Sequence, residues 1–401
     1  MRLYFFILRL AAFLGHRKAK KLVVGQKAAL GELREWVATL GSTQVLWFHA
    51  ASVGEFEQAR LIIESLHREL PFRKILLTFF SPSGYELRKN YPMVDKVSYL
   101  PFATRRNARQ LMDILPLEAV IMVKYEFWPA YLKALKAKNI PTYLISAIFR
   151  PNQLFFKPWG KSYRKLLFTF DHIFVQDKAS SELLEKFAIS NVTVAGDTRF
   201  DRVLEVMSQA KDLPLIERFA ANANRVIVAG STWPHDEKYL ARYMEEHDDV
   251  KLILVPHEID DAHLHRIFQL FNGRYVHYTL AQPQSVETSR ILLVDTIGLL
   301  SSIYRYGQVA YVGGGFGVSI HNTLEAAVYG MPVVFGPTWN KFREARELID
   351  RGAAISVKNY SEFAAALDTA FANKQAMGQA ASNYVNSESG ATQIILRTLK
   401  L

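Results

Sequence analysis

The chain has 401 residues, half of them hydrophobic and 22% charged, and contains no cysteine. This length suits two domains rather than one core, and the composition excludes disulfides, thiolate metal sites and low-complexity disorder. The net charge of +11 is uneven: residues 1–40 hold eight Lys/Arg against two Glu, and residues 127–170 hold eight Lys/Arg and no acid.

Such a face suits anionic lipid, a phosphorylated substrate or nucleic acid. Leu3 to Leu14 is apolar except for Arg9 and is followed by Arg17, Lys18, Lys20 and Lys21. A span needs about 20 residues in a helix, so this stretch is too short to cross a bilayer. It lacks a small-residue cleavage site and does not read as a secretory signal. An interfacial helix with a basic flank on an anionic membrane surface is expected for residues 1–24; the alternative is a helix packed on the protein's own core.

Strands are expected at 45–48, 75–78, 97–100, 119–123, 142–145, 173–175 and 192–195, with helices between them such as 55–66 and 129–137. The first strand runs into WFHAASVGE, residues 47–55. Small residues keep that turn bare, so a substrate can approach, and Glu55 arrives at a helix start, where a carboxylate is favoured and can take a proton from a hydroxyl. The same residues, Ser52-Val53-Gly54-Glu55, also spell a capping box. Glu126 follows the strand ending at Val123, within KYEFWP. The basic segment after it carries Phe149, Phe155, Phe156, Trp159, Tyr163, Phe168 and Phe170, aromatic and basic together. Arg199 follows the strand ending at Ala195, within GDTRFD.

A polar helical stretch near 203–224 containing Pro214 marks the break. A second series of strands then begins: 226–229, 252–255, 291–294, 309–312, 333–335 and 354–357, separated by helices near 235–246, 260–270, 297–305, 321–329 and 340–350. The alternation predicts two doubly wound parallel α/β domains, with ligands at the carboxyl ends of the strands and a cleft between the domains. The domains expected are 25–205 and 225–385, with 206–224 as linker and 386–401 as a C-terminal helix that can return to the first domain. Gly230 to Thr232, with a cap for the next helix, and His257 stand at strand ends. Residues 313–337, GGGFGVSIHNTLEAAVYGMPVVFGP, set a glycine loop before a helix starting near His321 or Asn322. Backbone N–H groups of Gly314 and Gly315 can meet an anion there, and Glu325 can accept from ribose hydroxyls. A tight βαβ turn with a dipole-compensating glutamate explains the segment equally.

Other signals fail. Val318 occupies the last glycine position of a dinucleotide fingerprint. His263 and His265 are two apart and face different ways on a helix. No Asp-x-Asp is present to hold a metal, and no nucleic-acid-binding motif is visible.

WFHAASVGE, KYEFWP, GDTRFD, AGSTWPHDE, VDTIGLL and GGGF…HNTLEAAVYGMPVVFGP occur in the order and approximate spacing of the Kdo transferases, and the chain resembles that family from about residue 25 to 390. The resemblance implies a GT-B glycosyltransferase, two Rossmann-like domains facing across a cleft, that moves 3-deoxy-D-manno-octulosonic acid from a CMP-Kdo donor to a lipid A precursor acceptor. It implies direct displacement without metal or other cofactor, at the cytoplasmic face of the bacterial inner membrane, peripheral or monotopic. Glu55 matches the family's general base, with Ser52 and Gly54 beside it. Glu126, Arg199, Ser231, Thr232, Asn322, Glu325 and the glycine loop match its donor site, and His257 falls in its Pro-Arg-His motif. The chain departs from the pattern at Arg199, where Lys is usual, at His257, which directly follows Pro256, at Leu299 for a Glu, and at Ile148 where Arg is common. A GT-B transferase using another activated sugar, a nucleotide-sugar epimerase and a noncatalytic lipid-binding relic are the competing readings.

Overall fold

Apolar runs bounded by turn residues become parallel strands buried on both faces. In the computed structural model, which describes residues 2–221, 223–399 and 401 and all their side chains except those of 2–6 and 9, they build two sheets. The first contains β1 (Val45–Ala50), β2 (Lys74–Phe79), β3 (Lys96–Tyr99), β4 (Leu117–Val123), β5 (Thr142–Ala147), β6 (His172–Val175) and β7 (Val192–Val194), ordered β3-β2-β1-β4-β5-β6-β7. The second contains β8 (Arg225–Thr232), β9 (Val250–Pro256), β10 (Val276–His277), β11 (Ile291–Leu293), β12 (Val309–Val312), β13 (Val333–Phe335) and β14 (Ala354–Ser356), ordered β10-β11-β9-β8-β12-β13-β14. Every pairing is parallel. Each expected strand is present. The additional strand, β10, is two residues long and carries no apolar run.

The chain divides into Met1–Arg202 with Ser389–Leu401, and Val203–Glu388. Two expected boundaries shift, and the expected return of the C-terminal helix to the first unit is present. Residues 206–224 are not a free linker: helix Pro214–Ala220 buries Ile216 and Phe219 in the second unit. The second unit does not stop at 385, because helix Lys374–Ser387 continues past it and buries Tyr384 and Val385. The final helix, Ala391–Thr398, belongs to the first unit. Asp201 accepts from the N–H groups of Gly390 (2.5 Å) and Thr392 (2.7 Å) at its start, and Ile395 and Leu399 join the core cluster formed by the helix after β1.

The basic segments divide as well. Residues 1–24 do not form a separate element, since helix Arg17–Ala38 runs through residue 24 and buries Leu22, Ala29 and Leu33. Of the preceding helix, Arg2–Phe13, the side chains of residues 2–6 and of Arg9 lie outside the described residues; Ile7, Leu10 and Phe13, and Leu14 just after it, are exposed. In the second segment Phe149, Phe155 and Phe170 are core residues, packed around Phe127, whereas Trp159, Tyr163 and Phe168 are exposed. Phe156 packs against the same cluster, so four of the seven aromatics serve packing. Among the described residues no helix is long and apolar enough to cross a membrane.

Candidate functional site

Strand order reverses between β1 and β4 in the first sheet and between β8 and β12 in the second. Such switch points leave a crevice at the carboxyl ends of the strands, where ligands of doubly wound folds bind.

In the first unit, β1 delivers Ser52, Gly54 and Glu55 to this edge. Ser52 is the extended residue before helix Val53–Glu69, but its hydroxyl makes no cap bond to the helix backbone. It donates instead to Glu55 Oε2, so the expected capping box is not formed. The hydroxyl has a single proton to donate, and the ionised carboxylate, the stronger acceptor, takes it. Gly54 is exposed, and a Cβ added there would meet nothing nearer than Ser52 Oγ at 3.8 Å. The approach to the half-buried Glu55 is open on that side.

Next to β1, the end of β4 carries Lys124 at φ 65°, then Tyr125 and Glu126. Burial pushes the Tyr125 hydroxyl up, Arg150 opposes this, and Asp177 and Glu55 add to it. Residues that follow β1, β5 and β6 thus lie near enough to Tyr125, after β4, to bear on its hydroxyl. Half-buried Ile148 lies two residues before that Arg150. Glu126 is buried and belongs to a network that sequence reading did not anticipate. Its Oε2 lies 2.8 Å from His49 Nε2 and accepts from Trp128 Nε1 at 2.5 Å. His49, fully buried on β1, reaches Thr78 Oγ1 at 2.9 Å through Nδ1. The His of WFHAASVGE and the second Trp-bearing motif were the available signals. Arg199 is not a free cation, as expected for a phosphate ligand: its Nε and Nη2 donate to Asp197 Oδ2 at 2.9 and 2.7 Å.

In the second unit the glycine loop corrects the sequence reading most. Gly313 N–H donates to the Gly230 carbonyl (2.9 Å) and Gly314 N–H to Asp236 Oδ2 (2.9 Å), so these two donors are committed within the protein. A Cβ on Gly313 would lie 2.3 Å from the Ser231 carbonyl oxygen, and one on Gly315 would lie 2.6 Å from Gly336 Cα. The glycines permit backbone to meet backbone between β8, β12 and β13. The helix expected from His321 or Asn322 is a single turn, Leu324–Ala327, because Asn322 Oδ1 takes the Leu324 N–H (3.1 Å) in a local turn. One turn gives little aligned dipole.

Asp236 anchors this corner. Oδ1 accepts from the Tyr311 hydroxyl at 2.6 Å and Oδ2 accepts from the N–H groups of Trp233 and Gly314, both at 2.9 Å. Burial pushes its carboxyl up, and these three bonds oppose the shift. Thr232, expected at the site, is buried and donates to Glu237 Oε1 at 3.0 Å, and Glu237 in turn holds His263 Nε2 at 2.9 Å. Among the described residues, Glu258, Asp260 and His263 could gather about an ion, but Nε2 of His263 is engaged by Glu237 and Asp260 caps a helix through the His263 N–H.

Four positions remain on the edge. Ser231 is held at φ 54°, at the register shift between β8 and β9, a conformation that costs a non-glycine residue about 1–3 kcal/mol. Asn322 Nδ2 donates to Glu325 Oε1 at 3.0 Å. His257 is exposed, stacks on Trp233 with centroids 4.8 Å apart and lies 4.3 Å from the ring of His321. Trp233 Nε1 donates to His321 Nε2 at 3.0 Å. Burial, then the charge of His257, lowers the His321 pKa to about 4, so the ring is neutral near pH 7. Trp233 is not a sequence candidate and His321 is one only as a helix start, although both stand in the quoted motifs. Exposed Ile297 and Leu299 border the turn before helix Leu300–Ile303.

Residues 24–202 match the model of a family described as 3-deoxy-D-manno-octulosonic-acid transferase (kdotransferase). The chain is 30% identical over 325 residues to the 3-deoxy-D-manno-octulosonic acid transferase of Aquifex aeolicus (strain VF5), covering 79% of this chain and 83% of that one. It is 26% identical over 329 residues to the enzyme of that description from Rickettsia prowazekii (strain Madrid E), covering 79% and 69%. Among solved structures, UDP-GlcNAc 2-epimerase from Neisseria meningitidis bound to UDP-GlcNAc aligns with 89% of this chain and 99% of its own at TM-score 0.62 and 14% identity. That last likeness is one of fold: two parallel α/β domains of GT-B type.

Proposed function

The chain belongs to the 3-deoxy-D-manno-octulosonic acid transferases, and from that membership we propose that it moves Kdo from CMP-Kdo to a lipid A precursor, with Glu55 as general base. The observation that carries the base assignment is local. Glu55 stands in the first turn of a helix at a switch point, half-buried and open along Gly54, with the Ser52 hydroxyl on its carboxylate. A carboxylate whose hydrogen-bond partner is a mobile hydroxyl can exchange it for the hydroxyl of a sugar.

In the reaction proposed, a Glu55 oxygen takes the proton of an acceptor hydroxyl as that oxygen attacks the anomeric carbon of Kdo. The bond from this carbon to the phosphate oxygen breaks, and CMP leaves with the electron pair. Glu126, fixed by His49 and Trp128, is a rigid acceptor for donor or acceptor hydroxyls. Glu325 and Asn322 offer a paired acceptor and donor, and the Trp233–His257 rings offer a stacking face for a planar base. For Arg199 to meet the phosphate, it must exchange Asp197 for it.

The acceptor of this reading is acylated and phosphorylated, so a membrane face follows from it. Exposed Phe13, Leu14, Trp159, Tyr163 and Phe168 beside basic residues support an interfacial site on the cytoplasmic leaflet. Replacing Lys18, Lys20 and Lys21 by Gln should weaken binding to anionic vesicles in a salt-dependent way; unchanged binding removes that part. The activity is tested by transfer of labelled Kdo from CMP-Kdo, generated in situ, to a tetra-acyl lipid A precursor. The parent should form product, and Glu55→Ala should lose about 10²–10⁴-fold. Equal product from both demotes Glu55; none from either folded protein points to another donor or acceptor.

A further inference from the structure

Helices Arg105–Ile114 and Pro129–Ala137 follow β3 and β4, so both begin at the carboxyl edge of the first sheet. Between them runs a groove of about 960 Å³, within the range that holds an organic ligand. Ala103, Ala130, Ala134 and Ala137 line it, and their short side chains leave the space that bulkier residues would fill. Its rim carries Arg105, Arg106, Arg109, Lys133 and Lys138.

Lys138 is paired with Asp113 at 3.0 Å. The other four are exposed, and none makes a hydrogen bond or ion pair with a described residue. Their placement opposes local stability in two ways. Four like charges around one groove repel one another. Arg105 and Arg106 also occupy a helix first turn that contains no acid, where the macrodipole disfavours cations. A bound anion relieves both. The alanine lining calls for an apolar chain in the same molecule. The groove reaches Thr104 and Pro129 at the sheet edge, and Pro129 directly follows Trp128, which is bonded to Glu126.

We propose that this groove seats an acyl chain and phosphate of the acceptor, an inference that rests on the transferase reading. The phosphate lies against Arg105, Arg106 and Arg109 at the sheet edge, and the chain runs over the alanines. The sugar is thereby held at the edge that carries Glu55.

Two variants test it, Ala134→Phe, which fills the groove, and Arg105→Glu with Arg109→Glu, which reverses its rim. Each is assayed in detergent micelles for the KM of acylated acceptor and of CMP-Kdo, and separately for binding of dodecyl phosphate against dodecyl maltoside and of phosphatidylglycerol vesicles. The expected result is a tenfold or greater rise in acceptor KM, a donor KM within twofold of the parent, and loss of dodecyl phosphate binding in both variants. Unchanged acceptor KM and unchanged dodecyl phosphate binding overturn the proposal. So does unchanged KM with a loss confined to phosphatidylglycerol vesicle binding, which would assign the groove to a bilayer lipid. Should the parent transfer no Kdo, the transferase reading fails by itself. The dodecyl phosphate measurement then decides the groove: selective binding lost in both variants upholds an acyl-phosphate site, and binding unaffected by either excludes it.

Discussion

Glu55 and Asp236 hold equivalent places in the two halves of the chain. Each is the third residue of the helix that follows the first strand of its sheet. Their surroundings differ completely. Asp236 is fully buried and accepts three bonds, from Tyr311, Trp233 and Gly314, so its carboxylate ties β12 and the glycine loop to the helix. Glu55 is half-buried, has the Ser52 hydroxyl beside it, and faces a bare Gly54. One topology has given one carboxylate a structural duty and left the other available for chemistry. Position in the fold brings a side chain to the edge; its partners decide what it can do there.

The largest break in this contrast is expected from Asp236→Ala. It strands the Tyr311 hydroxyl, the buried Gly314 N–H and the part-buried Trp233 N–H, at about 1–3 kcal/mol each. Non-additivity brings the total to about 3–5 kcal/mol, a fall in melting temperature of roughly 10 °C by scanning calorimetry. Gly315→Ala should follow at about 1–3 kcal/mol, since its Cβ would press on the backbone of Gly336 and neither chain can yield cheaply. By contrast Gly54→Ala, in open space, should change the melting temperature little.

How much of this was legible in the sequence divides along the same line. Strands such as Val309–Val312 and Ile75–Leu77 were readable because a parallel strand buried on both faces is a continuous apolar run. Helix Pro129–Ala137 announced itself by a proline at its first position. Glu55 and the glycine loop were visible as motifs. What the loop does was not, because Gly315 meets Gly336 and Gly314 meets Asp236 only after the sheet has closed. His49 and Glu126, 77 residues apart, are joined in the same way. Local sequence also misjudged the Ser52 cap, where hydroxyl and carboxylate had two arrangements open to them and pairing with each other prevailed.

A smaller effect sharpens the contrast from the side of acid. The folded His321 ring, with its pKa near 4, binds its proton less readily than an unfolded histidine near 6.5. Lowering pH from about 6.5 to 4 therefore draws protons to the unfolded chain and removes stability. His321→Gln, which keeps an acceptor for Trp233, should flatten the melting-temperature profile over that window; an unaltered slope would place its origin elsewhere. The smallest effect expected is at Ser52→Ala, where turnover should change by at most about tenfold, a value of ~1.4 kcal/mol, with stability nearly unchanged because no cap bond is lost.

The division of labour between the two carboxylates is decided by measuring turnover and melting temperature side by side for Glu55→Gln and Asp236→Asn, at a temperature where both are folded. A crossed result is expected. Glu55→Gln should lose about 10²–10⁴-fold in kcat with its melting temperature within a few degrees of the parent. Asp236→Asn should melt several degrees lower while retaining most of its turnover. A Glu55→Gln protein that melts early and still transfers Kdo would contradict the account, because the carboxylate would then be a strut like its counterpart.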